Sequence, residues 1–515
     1  MAALITDNFR LFNADSFIES VSDPNNSYYI FIGLPNPVGP EYGRSLTWNE
    51  DPPSPTDNQS YIYHTYDTMM YGRRITPGNI RRVIRRIDWV KGTRYEIYRD
   101  DYSVNNVSPI TGSTRLYDAN YYVVNSDFRV YECLSNGSSG ENPKGNGSED
   151  EPTFVDTEPS AAGSSGDGYI WKYLYTVSPA DVIKFDSTQY ITVPNDWLTS
   201  TSSQIQTIRE AGNSQINDNL IKEVYIDDRG AGYGGGVGQE FPIIGDGSGA
   251  AVVVDVNSGQ ISKAVVSRGG KNYTWGLVDL GSINQSASTN AKLDVIIPPS
   301  LGHGFDIYQE LGTDRVLVYA RFDDSIPDFP VDTTFAQIGI LRNPTITDST
   351  TIFTENSFCA TDSLKILSSS GSLETGDIIS QLTIQGTARA YVVAYDEETG
   401  VLKYIQDRSL YYNPETYNDA DYKDISVDGS KILFQSNTNT ITASTNSFSG
   451  SIDTTFNGST VTVGDRAVEL GIEFTNGLAK GEINRPSGEV LYLDNRTQVP
   501  RNPRQKEDVK VILEF

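Results

Sequence analysis

Residues 166–194 read GDGYIWKYLYTVSPADVIKFDSTQYITVP. Tyr169, Trp171, Tyr173, Tyr175 and Val177 occupy alternate positions, with Ile170, Lys172, Leu174 and Thr176 between them. A period of two places successive side chains on opposite faces of a strand, so this stretch writes out one aromatic face. Ser178-Pro179 breaks the strand, and Tyr190 to Pro194 reads as a second, shorter one. Such a face is built for a core or for an interface, and Tyr169, Trp171 and Tyr173 are taken as candidate subunit-interface residues. The rest of the chain has the same texture: 31 tyrosines stand among clusters of Gly, Ser, Asn and Asp. That mixture suits strands, turns and contact surfaces that are part apolar and part wet. The expected fold is mainly β with a few short helices, of sandwich or barrel type.

Moving outward, two short helices are predicted near the start. Ala14, Phe17, Ile18 and Val21 recur at helical spacing after an Asn13 cap, and Asp23-Pro24 ends the run. Ile80, Val83, Ile84 and Ile87 do the same after Thr76-Pro77, where proline fits the first turn. From Gly137 to Gly166 the chain is rich in Gly, Ser, Glu, Asn and Pro, which predicts a surface loop or flap. Residues 204–297 read as a glycine-rich β-module, in which Arg229-Gly-Ala-Gly-Tyr233 finds an echo in Arg268-Gly-Gly-Lys-Asn-Tyr273. Residues 363–477 read as a second module, a meander or small barrel, with Ser436 to Thr462 as its floppy continuation.

Several blocks together resemble a known family. The Gly-Asp-Gly-Tyr turn, the Trp-x-Tyr strand and Tyr190 to Pro194 look like the baseplate wedge subunit of contractile-tailed phages, the gene-product-eight family. Arg82 to Tyr95 (RVIRRIDWVKGTRY), Val130 to Leu134 (VYECL), Phe335 to Pro344 (FAQIGILRNP) and Gly488 to Phe515 agree with it, in chain order. The resemblance implies a virion protein of the tail baseplate, assembled in the host cytoplasm as a homodimer beside the wedge proteins that family numbers six, seven and ten. It weakens over the two modules. The expected architecture is therefore a multidomain wedge core over 1–203, 298–362 and 478–515, carrying insertions at 204–297 and 363–477.

Composition bounds the chemistry independently. Forty basic against 67 acidic residues give a net charge of -27, which argues against nucleic-acid binding through the whole surface. The longest apolar run, near Ala250 to Val254, stops at Asp255, far short of a membrane span. No basic and hydrophobic leader opens MAALITDNF, and a cytoplasmic origin is expected. Cys133 and Cys359 are too few for a disulfide framework or a thiolate zinc site and are expected as buried thiols. Asp246-Gly-Ser-Gly249 lacks the Gly-Lys-Ser ending of a phosphate loop and reads as a hairpin turn. No cofactor is expected.

Catalysis by histidine is restricted to His64 and His303, neither beside a nucleophile motif. The acidic pairs Asp100-Asp101, Asp227-Asp228, Asp323-Asp324 and Glu397-Glu398 offer carboxylates for glycan hydrolysis, but its geometry is spatial and solvated turns explain them as well. One charge feature has direction: Arg73 to Arg94 holds eight basic residues and one acid, Asp88. On the predicted helix, Arg81, Arg82, Arg85 and Arg86 fall opposite the Ile80, Val83, Ile84, Ile87 stripe. They would form an outward cationic face for an acidic neighbouring subunit or pair with the chain's own acids. The expected function is a non-enzymatic structural subunit that assembles and then rearranges when the baseplate is triggered. A tail adhesin or an envelope glycan hydrolase is the alternative.

Overall fold

The computed structural model describes residues 5–34, 48, 50–139, 142–212, 218–283, 288–323, 331–411, 431–443, 446–502 and 504–515. Strands dominate among these, and the fold is mainly β, as expected. The chain forms two compact units. Unit 1 comprises Met1–Ser16, Arg81–Leu317 and Ile512–Phe515; unit 2 comprises Phe17–Ile80 and Val318–Val511.

In unit 1 the aromatic strand Tyr169–Thr176 pairs antiparallel with Arg129–Asn136, which pairs in turn with Tyr122–Val124. Trp171 faces Cys133 and Tyr173 faces Tyr131 across the ladder. Tyr95 and Trp171 meet edge to face with ring centroids 5.7 Å apart, and Tyr169 stacks on Trp171 at 5.3 Å. The intervening Lys172 and Leu174 are buried as well, so both faces of this strand are covered. Ser178 caps the helix Pro179–Phe185, accepting a hydrogen bond from the Asp181 amide, where the sequence reading saw only a break. Residues 142–166 are irregular, as predicted, but they are not a free flap. Ser160 exchanges two backbone hydrogen bonds with Trp171, and Ser148 is tied to Gly92 and Thr93.

The helix predicted after Thr76-Pro77 is not formed. Pro77–Asn79 makes one 3-10 turn, and Ile80–Arg85 continues as a strand. Its residues pair with Tyr190–Val193, Val83 facing Thr192 and Ile84 facing Ile191. Isoleucine and valine at χ1-restricted positions disfavour a helix and fit a pleated surface, and the partner strand decides the outcome. The first helix does form but starts earlier, at Asp7, and runs to Ser22.

Residues 224–295 build a six-stranded antiparallel sheet around a core that includes Val252, Val254, Ile261, Tyr233 and Tyr273. The suspected repeat has matching geometry. Gly230 and Gly270 have φ of 59° and 61°, and Gly232 and Asn272 have 85° and 61°, each pair leading into a buried tyrosine. The left-handed backbone is what selects Gly or Asn at these turns.

Unit 2 contains a five-stranded antiparallel sheet in the order Ser357–Cys359, Met69–Ile75, Tyr28–Gly33, Thr333–Arg342, Glu489–Arg501. One row across it alternates large and small: Phe358, Gly72, Phe31, Gly339, Leu493. A methyl on Gly72 would lie 2.1 Å from the Phe358 ring, and one on Gly339 2.4 Å from Phe31. A second sheet in this unit closes on itself. Val401–Ile405, Gly386–Asp396, Ile378–Thr383, Ile441–Ala443, Ser449–Ile452 and Asp362–Ser370 follow one another, and the last pairs back onto the first. The core of this six-stranded barrel includes Leu364, Ile379, Val392, Leu402 and Ile441. Ser436 to Thr462 is therefore not a floppy continuation: it supplies two barrel strands and most of the strand Gly458–Val463.

Candidate functional site

Gly302 and Gly304 hold φ of 98° and 83° on either side of His303, a turn that L side chains rarely adopt. It delivers the imidazole beneath the short helix Ile307–Leu311, which Asp306 caps at its start and Gly312 at its end. Glu310 comes from that helix, and Glu132 from the strand Arg129–Asn136. His303 Nδ1 lies 2.9 Å from Glu310 Oε1 and 2.8 Å from Glu132 Oε2. The Gly304 amide donates to Glu310 Oε2 at 2.7 Å. Nδ1–H is aligned on Glu310, whereas the Glu132 oxygens receive no aligned donor. All three side chains are at most 3 % exposed, and the Tyr98 ring packs edge-on against the imidazole at 5.0 Å.

The electrostatics follow from this burial. Loss of water alone would lower the His303 pKa, but Glu132 and Glu310 outweigh it and raise the value to about 9. Burial and the neighbouring Glu310 push the Glu132 carboxyl well up, while His303 and its hydrogen bonds hold Glu310 below the usual carboxylate range against its own burial. The consistent state at neutral pH is an imidazolium between an ionised Glu310 and a neutral Glu132. A divalent metal at about 2.0–2.1 Å from tetrahedral ligands would hold them roughly 3.3 Å apart. The His303–Glu310 separation is that of a hydrogen bond, and His303 and Glu132 stand at ion-pair distance. Lys172, 2 % exposed and donating to the Thr157 carbonyl, lies in the same surroundings, where burial lowers its pKa against the pull of Glu310. A charge-compensated structural cluster accounts for this arrangement without an ion.

The second histidine is equally enclosed, in unit 2. His64 Nδ1 is 3.0 Å from Asp407, and nearby Asp67 binds Arg408 at 2.7 Å and Lys431 at 2.6 Å. Burial alone would raise the Asp67 carboxyl, but the two cations hold it low. Of the acidic pairs, Asp101 is bound to Arg99 and Asp227 to Lys292, while Asp324 lies outside the described residues.

The residues chosen as a candidate interface are placed inward. Tyr169, Trp171 and Tyr173 are 0 to 1 % exposed and belong to the core of unit 1, so the aromatic face covers the chain's own interior. The expected outward arginine face is also absent, because the arginines leave a strand and find internal partners. Arg81 binds Asp181 at 3.0 Å; Arg82 binds Asp15 and covers the Tyr308 ring at 4.0 Å; Arg86 binds Asp88 and Asp186. Arg85 donates to the carbonyls of Tyr117 and Ala119. The acids come from distant parts of the sequence, which no local pattern could reveal.

A cleft of about 640 Å³ opens elsewhere in unit 1, lined by Glu158, Ile170, Lys222, Glu223, Val265 and Ser267 among others. Neither histidine borders it.

No protein-family profile matches the chain. Among curated proteins it is 26% identical over 216 residues to the baseplate wedge protein gp8 of Enterobacteria phage T4. That match covers 37% of this chain and 60% of the relative, so less than two thirds of the relative's length is spanned. The chain is distantly related to phage baseplate wedge proteins.

Proposed function

We propose that this protein is a structural, non-enzymatic subunit of a phage tail baseplate wedge. The observation that carries the reading is the partial identity, 26% over 216 residues, with a baseplate wedge protein. The chemistry of the molecule supports it, since both histidines are enclosed and engaged by carboxylates. In this reading the chain assembles as a symmetric dimer beside wedge subunits corresponding to gene products six, seven and ten, in the baseplate of a contractile tail. Contacts between these subunits then change on host attachment. Isologous pairing would bury one patch twice per dimer.

Two measurements test this. Labelling of the chain in intact particles should mark the host-facing end of the tail, and particles lacking it should stall before complete baseplates form. Complete, infective tails without the chain would overturn the reading. The mass of the purified protein should correspond to two copies; a monomer would remove the dimer from it. The glycan-hydrolase alternative predicts new reducing ends from purified cell wall.

A further inference from the structure

In unit 2 a thiol and an amine meet where the five-stranded sheet passes into the barrel. Cys359 ends the edge strand Ser357–Cys359, and Lys403 stands in the barrel strand Val401–Ile405, every residue of which is buried. Cys359 is 0% exposed and Lys403 7%. Lys403 Nζ donates to Cys359 Sγ at 3.8 Å and to the Tyr71 hydroxyl at 3.4 Å. Tyr71 is the cross-strand partner of Cys359, so the sheet ladder helps to fix the site. Burying an ammonium group costs free energy that a methionine in the same space would not. What the lysine brings is a nitrogen held against sulfur.

The other cysteine has different surroundings. Cys133 donates to the Ser135 carbonyl at 3.4 Å, and burial, then the neighbouring Glu132, pushes its thiol well up. A cation beside a sulfur favours the thiolate, which is the form that peroxides oxidise. Lys403 also lines a cleft of about 500 Å³, together with Tyr395 and Leu470, which brings solvent to the lysine end of the pair.

We propose that Cys359 and Lys403 form a covalent sulfur–nitrogen link when the chain meets a hydroperoxide, a redox-controlled staple between the sheet and the barrel. The link goes beyond the wedge reading and does not depend on it. With hydrogen peroxide, the thiolate attacks one oxygen: a sulfur–oxygen bond forms, the oxygen–oxygen bond breaks, and hydroxide leaves. That hydroxide takes a proton from the Lys403 ammonium. The amine then attacks the sulfenic sulfur, so that a sulfur–nitrogen bond forms as the sulfur–oxygen bond breaks, and the departing hydroxide removes a second proton from nitrogen. Sulfur is oxidised by two electrons, the peroxide is reduced by two, and two waters are released. Sulfenic acids condense with nitrogen in this way, and the flexible lysine stem supplies the short approach from 3.8 Å. The link closes the chain from Cys359 to Lys403 into a ring that contains the barrel strands Asp362–Ser370, Ile378–Thr383 and Gly386–Asp396. Closing such a ring removes freedom from the unfolded chain as a disulfide does.

Peptide mapping of the intact, natively folded chain tests the proposal without any variant. After treatment with hydrogen peroxide, the tryptic peptide of Cys359 should be recovered joined to that of Lys403, lighter than the two together by two hydrogens and uncut at Lys403. A thiol reductant should lower the yield of the joined species at least about tenfold, since a sulfur–nitrogen link of this kind is reversible. Cys133 should stay unlinked. Recovery of the Cys359 peptide alone, as free thiol or as sulfinic acid, would overturn the proposal, and so would its attachment to a different lysine. Lys403→Met keeps an apolar stem and removes the nitrogen, and it should abolish the joined peptide. The linked natural chain should melt about 5 °C above its reduced form, whereas Lys403→Met should melt alike under both conditions. A linked chain that melts no higher than the reduced one would overturn the staple.

Discussion

Glu132, His303 and Glu310 sit where water cannot screen them, so their protons are part of the fold. Removing one member of such a cluster leaves a buried charge uncompensated, and Glu310→Gln should destabilise unit 1 by about 3–5 kcal/mol. Chemical denaturation followed by near-ultraviolet circular dichroism would register it. The pH dependence has a definite sign. His303 has a folded pKa of about 9 against an unfolded value near 6.5, so its stabilisation is complete below about pH 6.5 and is lost as pH rises through about 9. The raised Glu132 pKa acts in the same direction, because the folded state again holds the extra proton. Melting temperatures across this window should therefore fall with pH, and His303→Gln should flatten the decline. Trp171 makes a different kind of prediction. As a core residue it should cost about 3–5 kcal/mol on replacement by alanine. An interface residue would instead alter oligomer mass and leave monomer stability nearly intact.

Among elements, the strand Ile80–Arg85 shows why part of the chain was legible and part was not. Its spacing of apolar residues fits a helix, yet pairing with Tyr190–Val193 makes it a strand, and no window of local sequence contains that partner. The aromatic strand was read correctly because period two is a local property; what covered its two faces was not. His303 was visible as one of two histidines, but Glu132 and Glu310 become its partners only through a glycine turn and a short capped helix. Charge reversal at Arg82 should destabilise the fold by about 3 kcal/mol or more, since Arg82 is buried against Asp15 and Tyr308. Unchanged thermal stability with impaired assembly would restore the outward-face expectation. In unit 2 the alternation Phe358, Gly72, Phe31, Gly339, Leu493 leaves no room for a methyl group. Gly72→Ala should cost about 1–3 kcal/mol, and Gly72→Ala with Phe358→Leu should recover part of that in a double-mutant cycle.

At the scale of the molecule, the division into units does not follow the sequence. The backbone passes between them after Ser16, Ile80, Leu317 and Val511. The last four residues are integral to unit 1: Phe515 N donates to Asp314 O at 3.1 Å, Arg10 Nη1 donates to Phe515 O at 3.1 Å, and Glu514 binds Arg315 at 2.7 Å. Deleting Ile512 to Phe515 should lower the stability of unit 1 by about 1–3 kcal/mol, measurable through the tryptophan environment of Trp171 and Trp197, both in that unit.

The four crossings also set a timetable for biosynthesis. A ribosome emits the first 16 residues of unit 1 long before their companions at 512–515 exist, and all of unit 2 is translated in the interval. Contacts so distant along the backbone form slowly, after a large loop-closure cost. Nascent chains should therefore remain without a fully native first unit until residues 512–515 have left the ribosome, so that the unit begun first is completed only after the whole of the second has been made.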